Sequence, residues 1–248
     1  MKNYFLLFFS FVAFFAHAQQ KSGIIHFKEN IKLNIDFGDN PEMAKMMPTS
    51  QSVDKALFFN QNESLYKNEA PPKDLELNQE KDGNTTQIVM KMPESEIYNN
   101  IKEDLSLQTQ DLMDKDFLIK DKIKKTSWKI TGEQIKILDY VCQKAVPSDT
   151  SKHLVAWFTP QLPISFGPDN LSGLPGIILG LDYDSGQRTV FATKMESLPN
   201  NYIFEIPTKG KKVNRAEFEK IRDEKMKEMG METNGGTSVK MIIQTEEH

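Results

Sequence analysis

The residues of this sequence that could do chemistry are few and widely separated. Of the four histidines, His26, His153 and His248 lie beyond the first 18 residues. None of these three has a second His or Cys at a metal-ligand spacing, and the spacing typical of a calcium loop is missing as well. We therefore expect no metal site and no bound cofactor.

Serine and cysteine catalysis find no better support. The sequence has no Gly-x-Ser-x-Gly elbow, and Ser165 and Ser172 flank a turn-rich stretch, which predicts hydrogen bonds within turns. Cys142 is the only cysteine, so an internal disulfide is excluded. We expect Cys142 to be a small buried hydrophobe, with an intermolecular disulfide or a nucleophile as alternatives. No catalytic residue is predicted, and we expect the protein not to be an enzyme.

The first 18 residues have the pattern of a cleavable secretory signal peptide. Lys2 precedes an apolar run over residues 4–15, interrupted only by Ser10, and Ala-His-Ala at 16–18 completes the pattern. A bilayer-spanning helix needs about 20 residues, and a buried core helix would show a polar face, so both alternatives fit poorly. With no cysteine after the cut for a lipid anchor, we expect a chain exported to the periplasm or beyond, not an integral membrane protein.

The composition after removal of residues 1–18 limits the partners. Without Lys2, 30 basic side chains remain against 35 acidic ones, a formal charge of −5. This mild negative charge implies no basic face and argues against nucleic acid as a partner. The length of residues 19–248 fits a single domain with a sizeable core.

Short runs of alternating apolar residues indicate a β-rich domain. Such runs occur in residues 22–35 and on either side of Asn60-Gln61-Asn62, where we predict a hairpin. Further strands are predicted at 87–92, 154–159, 177–182, 188–193, 202–206 and, less distinctly, 239–243. The polar residues 70–86, with Pro71-Pro72 near their start, predict an exposed loop. Since no βαβ rhythm is present, we expect a mainly β fold, a curved antiparallel sheet or half-open barrel.

One helix is predicted, near residues 215–229. Asn214 can cap it, Glu217 stands three residues later as in a capping box, and Gly230 follows its end. Its apolar stripe is narrow. We therefore expect it to pack against one side of the sheet, with binding to a partner as the alternative.

Residues 157–182, WFTPQLPISFGPDNLSGLPGIILGLD, carry the most information. Four prolines fix φ and remove amide donors, whereas the glycines permit backbone conformations that other residues rarely adopt. The pattern predicts a strand, an irregular crossover and a second strand. Leu174, between two constrained neighbours, is expected to fill a gap in the core.

This segment resembles the GLPGLI family of exported Bacteroidetes proteins, in an ordered match over roughly residues 140–193. Here Ile177 replaces the usual Leu, and Phe158 stands where Tyr is common. The resemblance implies an exported bacterial protein and carries over no catalytic or ligand-binding residue. We predict that the motif fixes a crossover in a β fold, with a binding role as the alternative. The motif residues are Trp157, Pro163, Gly167, Pro168, Gly173, Leu174, Pro175 and Gly176.

Three functions remain open at this point. The first is a non-enzymatic binding or carrier module of the cell envelope, which would hold a peptide or lipid-like ligand on a concave apolar face. The second is an accessory partner of an outer-membrane receptor or transporter, which predicts an exposed apolar or aromatic patch. The third is a hydrolase with a non-standard site, for which His26, His153 and Cys142 are the candidates.

Overall fold

The protein is built from β-strands and one α-helix. The computed structural model describes residues 21–33, 48–71, 75–81, 84–91, 94–113, 115–228 and 240–247, so the predicted signal peptide lies outside the described residues. Within these ranges no helix is long and apolar enough to cross a membrane. The strands are β1 (Gly23–Lys32), β2 (Ser50–Phe59), β3 (Glu63–Asn68), β4 (Leu75–Lys81), β5 (Asn84–Lys91), β6 (Ile97–Asn100), β7 (Leu105–Leu112), β8 (Lys115–Asp121), β9 (Trp128–Ile137), β10 (Tyr140–Pro147), β11 (Leu154–Thr159), β12 (Ile177–Tyr183), β13 (Arg188–Glu196), β14 (Lys211–Val213) and β15 (Lys240–Glu247).

Twelve strands form one open, curled sheet in the order β14-β8-β7-β6-β3-β2-β1-β13-β12-β11-β10-β9. Every neighbouring pair is antiparallel except β14, which runs parallel to β8. The predicted fold class, mainly β with a curved antiparallel sheet and a C-terminal helix, is confirmed. The sheet brings β1 beside β13, so the two ends of the chain meet at its centre.

The alternation of β1 explains where the core lies. Ile25 and Phe27 are buried and pair with Leu57 and with Lys55 of β2, so these side chains share one face, which we call the inner face. The same face continues onto β13 through Ala192, which pairs with Phe27. Burial of this continuous apolar surface is the main stabilising contribution to the fold.

A single irregular segment covers the inner face. Residues 160–176, the crossover segment, connect β11 to β12 and place Leu162, Ile164, Phe166 and Leu174 in the core, each at most 6% exposed. The predicted burial of Leu174 is confirmed. Because the crossover segment fills this face, the apolar groove expected there is occupied by the chain's own side chains.

The opposite face of β3, β6, β7 and β8 has its own apolar layer. Leu65, Tyr98 and Leu107 pack there against Phe204. Tyr202 stacks on Phe58 with ring centroids 5.1 Å apart. The predicted strand at 202–206 is wrong, because this segment lies across the face of the sheet and packs through its side chains rather than pairing along an edge.

The structure also differs over residues 70–86, where the sequence predicted an exposed loop. β4 and β5 pair as an antiparallel hairpin there, and β15 pairs with β5 to complete a three-stranded sheet. The loop prediction is wrong for these strands. Their polar composition concealed a backbone that is paired along most of its length.

The helix α1 (Arg215–Glu228) begins as its sequence predicts. The Glu217 amide donates to Asn214 Oδ1, and the Asn214 amide donates to Glu217 Oε2, both at 2.9 Å. Phe218 is buried against Phe117 of β8, which fixes the helix on the sheet. Residue 229, the predicted end, lies outside the described residues.

The reciprocal cap gives a first prediction. Asn214→Ala removes the side-chain acceptor for the Glu217 amide and is expected to lower the free energy of unfolding by about 1 kcal/mol. Chemical denaturation of both proteins measures this difference. Asn214→Ser, which keeps a capping oxygen, is the control and should remain within a few tenths of a kcal/mol of the wild type; equal losses in both variants would contradict the assignment.

Candidate functional site

Six polar side chains from five strands and the crossover segment gather on the inner face, and we call them the charged cluster. They share a location beside the apolar core rather than at the surface. The cluster consists of Glu29, Lys55, Tyr66, Asp169, Tyr183 and Arg188. Glu29 lies two residues beyond Phe27 on β1 and its residue is only 2% exposed, which makes it the most buried charge of the set.

Arg188 is the centre of the charged cluster. Its Nε contacts Glu29 Oε1, and its Nη1 lies 2.7 Å from Asp169 Oδ2. The Lys55 ammonium lies 2.8 Å from Glu29 Oε2. Tyr183 donates its hydroxyl to Asp169 Oδ2 at 2.8 Å, and the Arg188 guanidinium lies 4.8 Å from the Tyr183 ring centroid. Two acids and two bases are thus paired with one another.

The pairing fixes the protonation state of each group. Burial acts to raise the pKa of Asp169, but the charge and hydrogen bond of Arg188 outweigh it and hold that pKa below its usual range. Burial and the neighbouring Asp169 raise the pKa of Tyr183, and the two carboxylates raise the pKa of Arg188 despite its burial. None of these three groups exchanges a proton near neutral pH, which is unlike a general acid or base.

The tip of the crossover segment, Pro168–Asn170, carries Asp169 into the charged cluster. Asp169 and Asn170 have φ of 56° and 60°, the left-handed region that Asp and Asn tolerate better than most residues. Asn170 Nδ2 donates to Ser106 Oγ of β7 at 3.0 Å. Since five other strand boundaries separate β7 from β13, the tip links distant strands across the curl of the sheet.

Beside the charged cluster lies a neutral set of buried groups, which we call the polar row. Tyr66 and Asn68 of β3 point to the inner face, because they pair with Leu57 and Lys55 of β2. Asn99 of β6 pairs with Ser64, two residues from Tyr66. Among the described residues, the Tyr66 hydroxyl, both side-chain polar atoms of Asn68 and Oδ1 of Asn99 are buried without a hydrogen-bond partner.

The motif residues of the crossover segment lie away from both sets and hold its path. A Cβ on Gly176 would lie 2.1 Å from the Thr159 carbonyl oxygen, and one on Gly167 would lie 2.7 Å from Ile178 Cβ. Gly173 has φ of 101°, and its Cβ would lie 2.5 Å from the Thr126 carbonyl oxygen. Backbone thus passes close to backbone at these glycines.

The prolines and the tryptophan of the motif mark where this path turns or is anchored. Pro163 and Pro175 are exposed, Pro168 is buried at the start of the tip, and Trp157 is half-buried on β11. The Gly173 amide donates to Ser165 Oγ at 2.8 Å, so Ser165 makes a hydrogen bond within this turn-rich segment as predicted. A structural role for the motif stays a prediction.

The three hydrolase candidates do not come together. Cys142 is fully buried, as predicted, and burial raises its pKa to about 11. The ring nitrogens of His26 lie 2.5 Å from Glu69 Oε1 and 3.3 Å from Glu196 Oε2. His153 precedes β11, where its carbonyl accepts from the Asp184 amide. In the described part of the chain, no group of three His, Cys, Asp or Glu residues is placed to hold a metal ion.

A surface cleft of about 610 Å³ lies between β7, β8, β14 and the start of α1. Lysines and acids line it together, among them Lys120, Lys212, Glu103 and Asp121. The helix amides that face it already have partners, since Asp121 Oδ2 accepts from the Arg215 amide and Asn214 caps the helix. The mixed charge and satisfied amides make it a weaker candidate than the inner face.

Sequence reasoning missed the charged cluster although β1 contained a signal. Glu29 was interpreted as part of a break between two apolar runs, yet it continues the alternation of Ile25 and Phe27. Lys55 and Arg188 likewise stand at inward positions of alternating strands, two residues before Leu57 and Val190. A charge at an inward position predicts a buried partner, because an unpaired charge there would be costly.

The depressed pKa of Asp169 predicts how stability responds to acid. A carboxylate with a lowered folded-state pKa stabilises the fold fully above its unfolded pKa, about 3.9, and this contribution is lost as pH falls through the folded value. Asp169→Asn should therefore cost about 2 kcal/mol at pH 7, and the difference from the wild type should shrink as pH drops below about 4. Denaturant unfolding of both proteins from pH 7 to 3 measures this; a gap that is constant with pH would contradict it.

Comparison with known proteins places this geometry in context. A family model described as "Protein of unknown function (Porph_ging)" matches residues 146–180, which contain the crossover segment, β11 and part of β12. No curated protein matches the chain. Two structures of PNGF-II, in the C2 and P21 space groups, are similar with TM-scores of 0.52 and 0.51 at 17% and 18% identity. They match 81% of this chain but only 32% and 33% of the PNGF-II chain, and at this identity the likeness is one of fold alone.

Proposed function

We propose that this chain is an exported, non-enzymatic binding module of the bacterial cell envelope, of the GLPGLI type, and that its ligand lies on the inner face at the polar row. The observation that carries the proposal is the set of buried, unpartnered polar atoms on Tyr66, Asn68 and Asn99. Buried polar groups in folded proteins nearly always have hydrogen-bond partners, so such a cluster requires an explanation.

The surroundings of the polar row favour binding over catalysis. The nearby charges are paired with one another in the charged cluster, and neither Asp169 nor Tyr183 has a pKa near neutrality. A nucleophile with an adjacent base is missing among the described residues of this face. The occurrence of a similar fold as one third of PNGF-II supports the idea of a module. Export to the periplasm rests on the signal-peptide pattern of residues 1–18.

The position of the polar row also narrows the ligand. The apolar part of the inner face is filled by Leu162, Phe166 and Leu174 of the crossover segment, which leaves polar groups as the ones with unused bonding capacity. A lipid-like ligand would leave these groups unpaired at a cost in free energy. A polar ligand, which includes a short peptide, therefore fits better than a lipid.

Native mass spectrometry tests the proposal. The mature chain, purified from the envelope of an exporting host, should carry a bound small molecule that is released on denaturation. Asn68→Leu combined with Asn99→Leu should reduce its occupancy at least tenfold. Asn201→Leu, which alters an exposed asparagine outside the inner face, should leave occupancy unchanged. A wild-type protein that releases no small molecule would overturn the proposal.

A second candidate, an accessory partner of an outer-membrane receptor or transporter, is supported by the edge of the sheet. β9 is the last strand in the sheet order and spans ten residues, so an extended segment of a partner could pair with it. A photo-crosslinker at Ile130, which is 46% exposed on β9, should then capture one outer-membrane protein. The same crosslinker at the exposed Ile203 is the control; equal capture at both positions would dismiss this candidate.

A further inference from the structure

The unpartnered atoms of the polar row define the chemistry of what they can bind. Oδ1 of Asn99 and Oδ1 of Asn68 accept hydrogen bonds only, whereas Nδ2 of Asn68 donates only. The Tyr66 hydroxyl can do either, and burial raises its pKa, so it stays neutral. The complementary occupant must therefore both donate and accept hydrogen bonds, which is the property of a hydroxyl group.

Charge is already balanced around these atoms. Glu29 contacts Lys55 and Arg188, and Asp169 contacts Arg188, so two carboxylates face two cations. The Lys55 ammonium also lies 5.4 Å from the Tyr66 ring centroid. An added anion or cation would upset this balance in a buried place, where unpaired charge is costly. The occupant is therefore uncharged.

The spacing of the groups sets the extent of the occupant. Asn99 pairs with Ser64, and Ser64 is four residues from Asn68 along β3. A strand rises about 3.3 Å per residue, so Asn68 and Asn99 lie roughly 13 Å apart with Tyr66 between them. One water molecule cannot contact all three. The occupant is an extended row of hydroxyl groups.

We infer that the polar row binds an uncharged, hydroxyl-bearing occupant that contacts Tyr66, Asn68 and Asn99 together. This inference rests on the proposed function for its location and adds the ligand class. A polyol and a chain of ordered water molecules share this chemistry. In either form the Tyr66 hydroxyl contributes a hydrogen bond that stabilises the folded, occupied protein.

Tyr66→Phe tests the inference because it removes one hydroxyl and leaves the ring. If the hydroxyl is bonded to an occupant, the variant should melt at a lower temperature than the wild type. If the hydroxyl is an orphan, its removal should leave the melting temperature unchanged or raise it, and the inference would be overturned. Tyr202→Phe, which removes a hydroxyl from a half-buried ring on the other face, is the matched control and should change the melting temperature little.

A crystal structure of the wild-type mature chain separates the sources. Continuous density along Tyr66, Asn68 and Asn99 indicates a polyol and supports both the inference and the proposed function. Separate density peaks at hydrogen-bond distance indicate water, which supports the inference and removes the proposed function from this site. A bound carboxylate or phosphate would overturn the inference while leaving the proposed function intact. An empty polar row would overturn both.

Discussion

Gly176→Ala is expected to lower the free energy of unfolding by about 3 kcal/mol or more, the upper end of what overpacking costs. The added Cβ would lie 2.1 Å from the Thr159 carbonyl oxygen and 2.7 Å from its carbon, distances at which the backbone itself must move. Thr159 is the last residue of β11, and Ile177 begins β12, so the clash separates two paired strands. Denaturant unfolding, or the soluble yield if the variant does not fold, measures the effect.

Gly132→Ala is the matched control for this substitution. Gly132 also lies in a strand, but no atom approaches within 4 Å of where its Cβ would be, and its φ is outside the left-handed region. Its stability should stay within about 0.5 kcal/mol of the wild type. A Gly176→Ala variant as stable as Gly132→Ala would show that the motif glycine does not fix the crossover, and would favour the alternative binding role of the motif.

Local patterns predicted much of the secondary structure and of the crossover. Alternation located β11 at residues 154–159, and the capping signals located the start of α1. The prolines and glycines of residues 157–182 predicted an irregular crossover, because Pro removes donors and Gly permits close approach whatever the tertiary context. The predicted burial of Cys142 follows from its chemistry in the same way.

The sheet order and the inner-face site could not be predicted from local patterns. β1 pairs with β13, more than 150 residues away, and no short-range signal specifies that register. Asp169 appeared only as a turn residue within the crossover, and its contact with Arg188 exists because the tip reaches across the curled sheet. The signal peptide and the cellular location stay predictions, since residues 1–20 lie outside the described part of the chain.

Arg188→Met is expected to destabilise the protein by about 3–5 kcal/mol, because it leaves two carboxylates short of a cation in a buried place. Glu29, with a side chain 3% exposed, would keep only Lys55, and Asp169 would keep only the Tyr183 hydroxyl. Loss of the guanidinium also frees the crossover tip from β13. The free energy of unfolding at pH 7, from denaturant titration, is the measurement.

Arg222→Met is the control, since Arg222 pairs with Asp223 at the surface, where an ion pair contributes only about 0–1 kcal/mol. A double-mutant cycle then separates charge from packing. If the cost of Arg188→Met comes from the carboxylates left behind, adding Asp169→Asn should cost less in that background than in the wild type. If the two losses simply add, Arg188 stabilises the inner face through its packing, and the charged cluster is not what holds the crossover tip to the sheet.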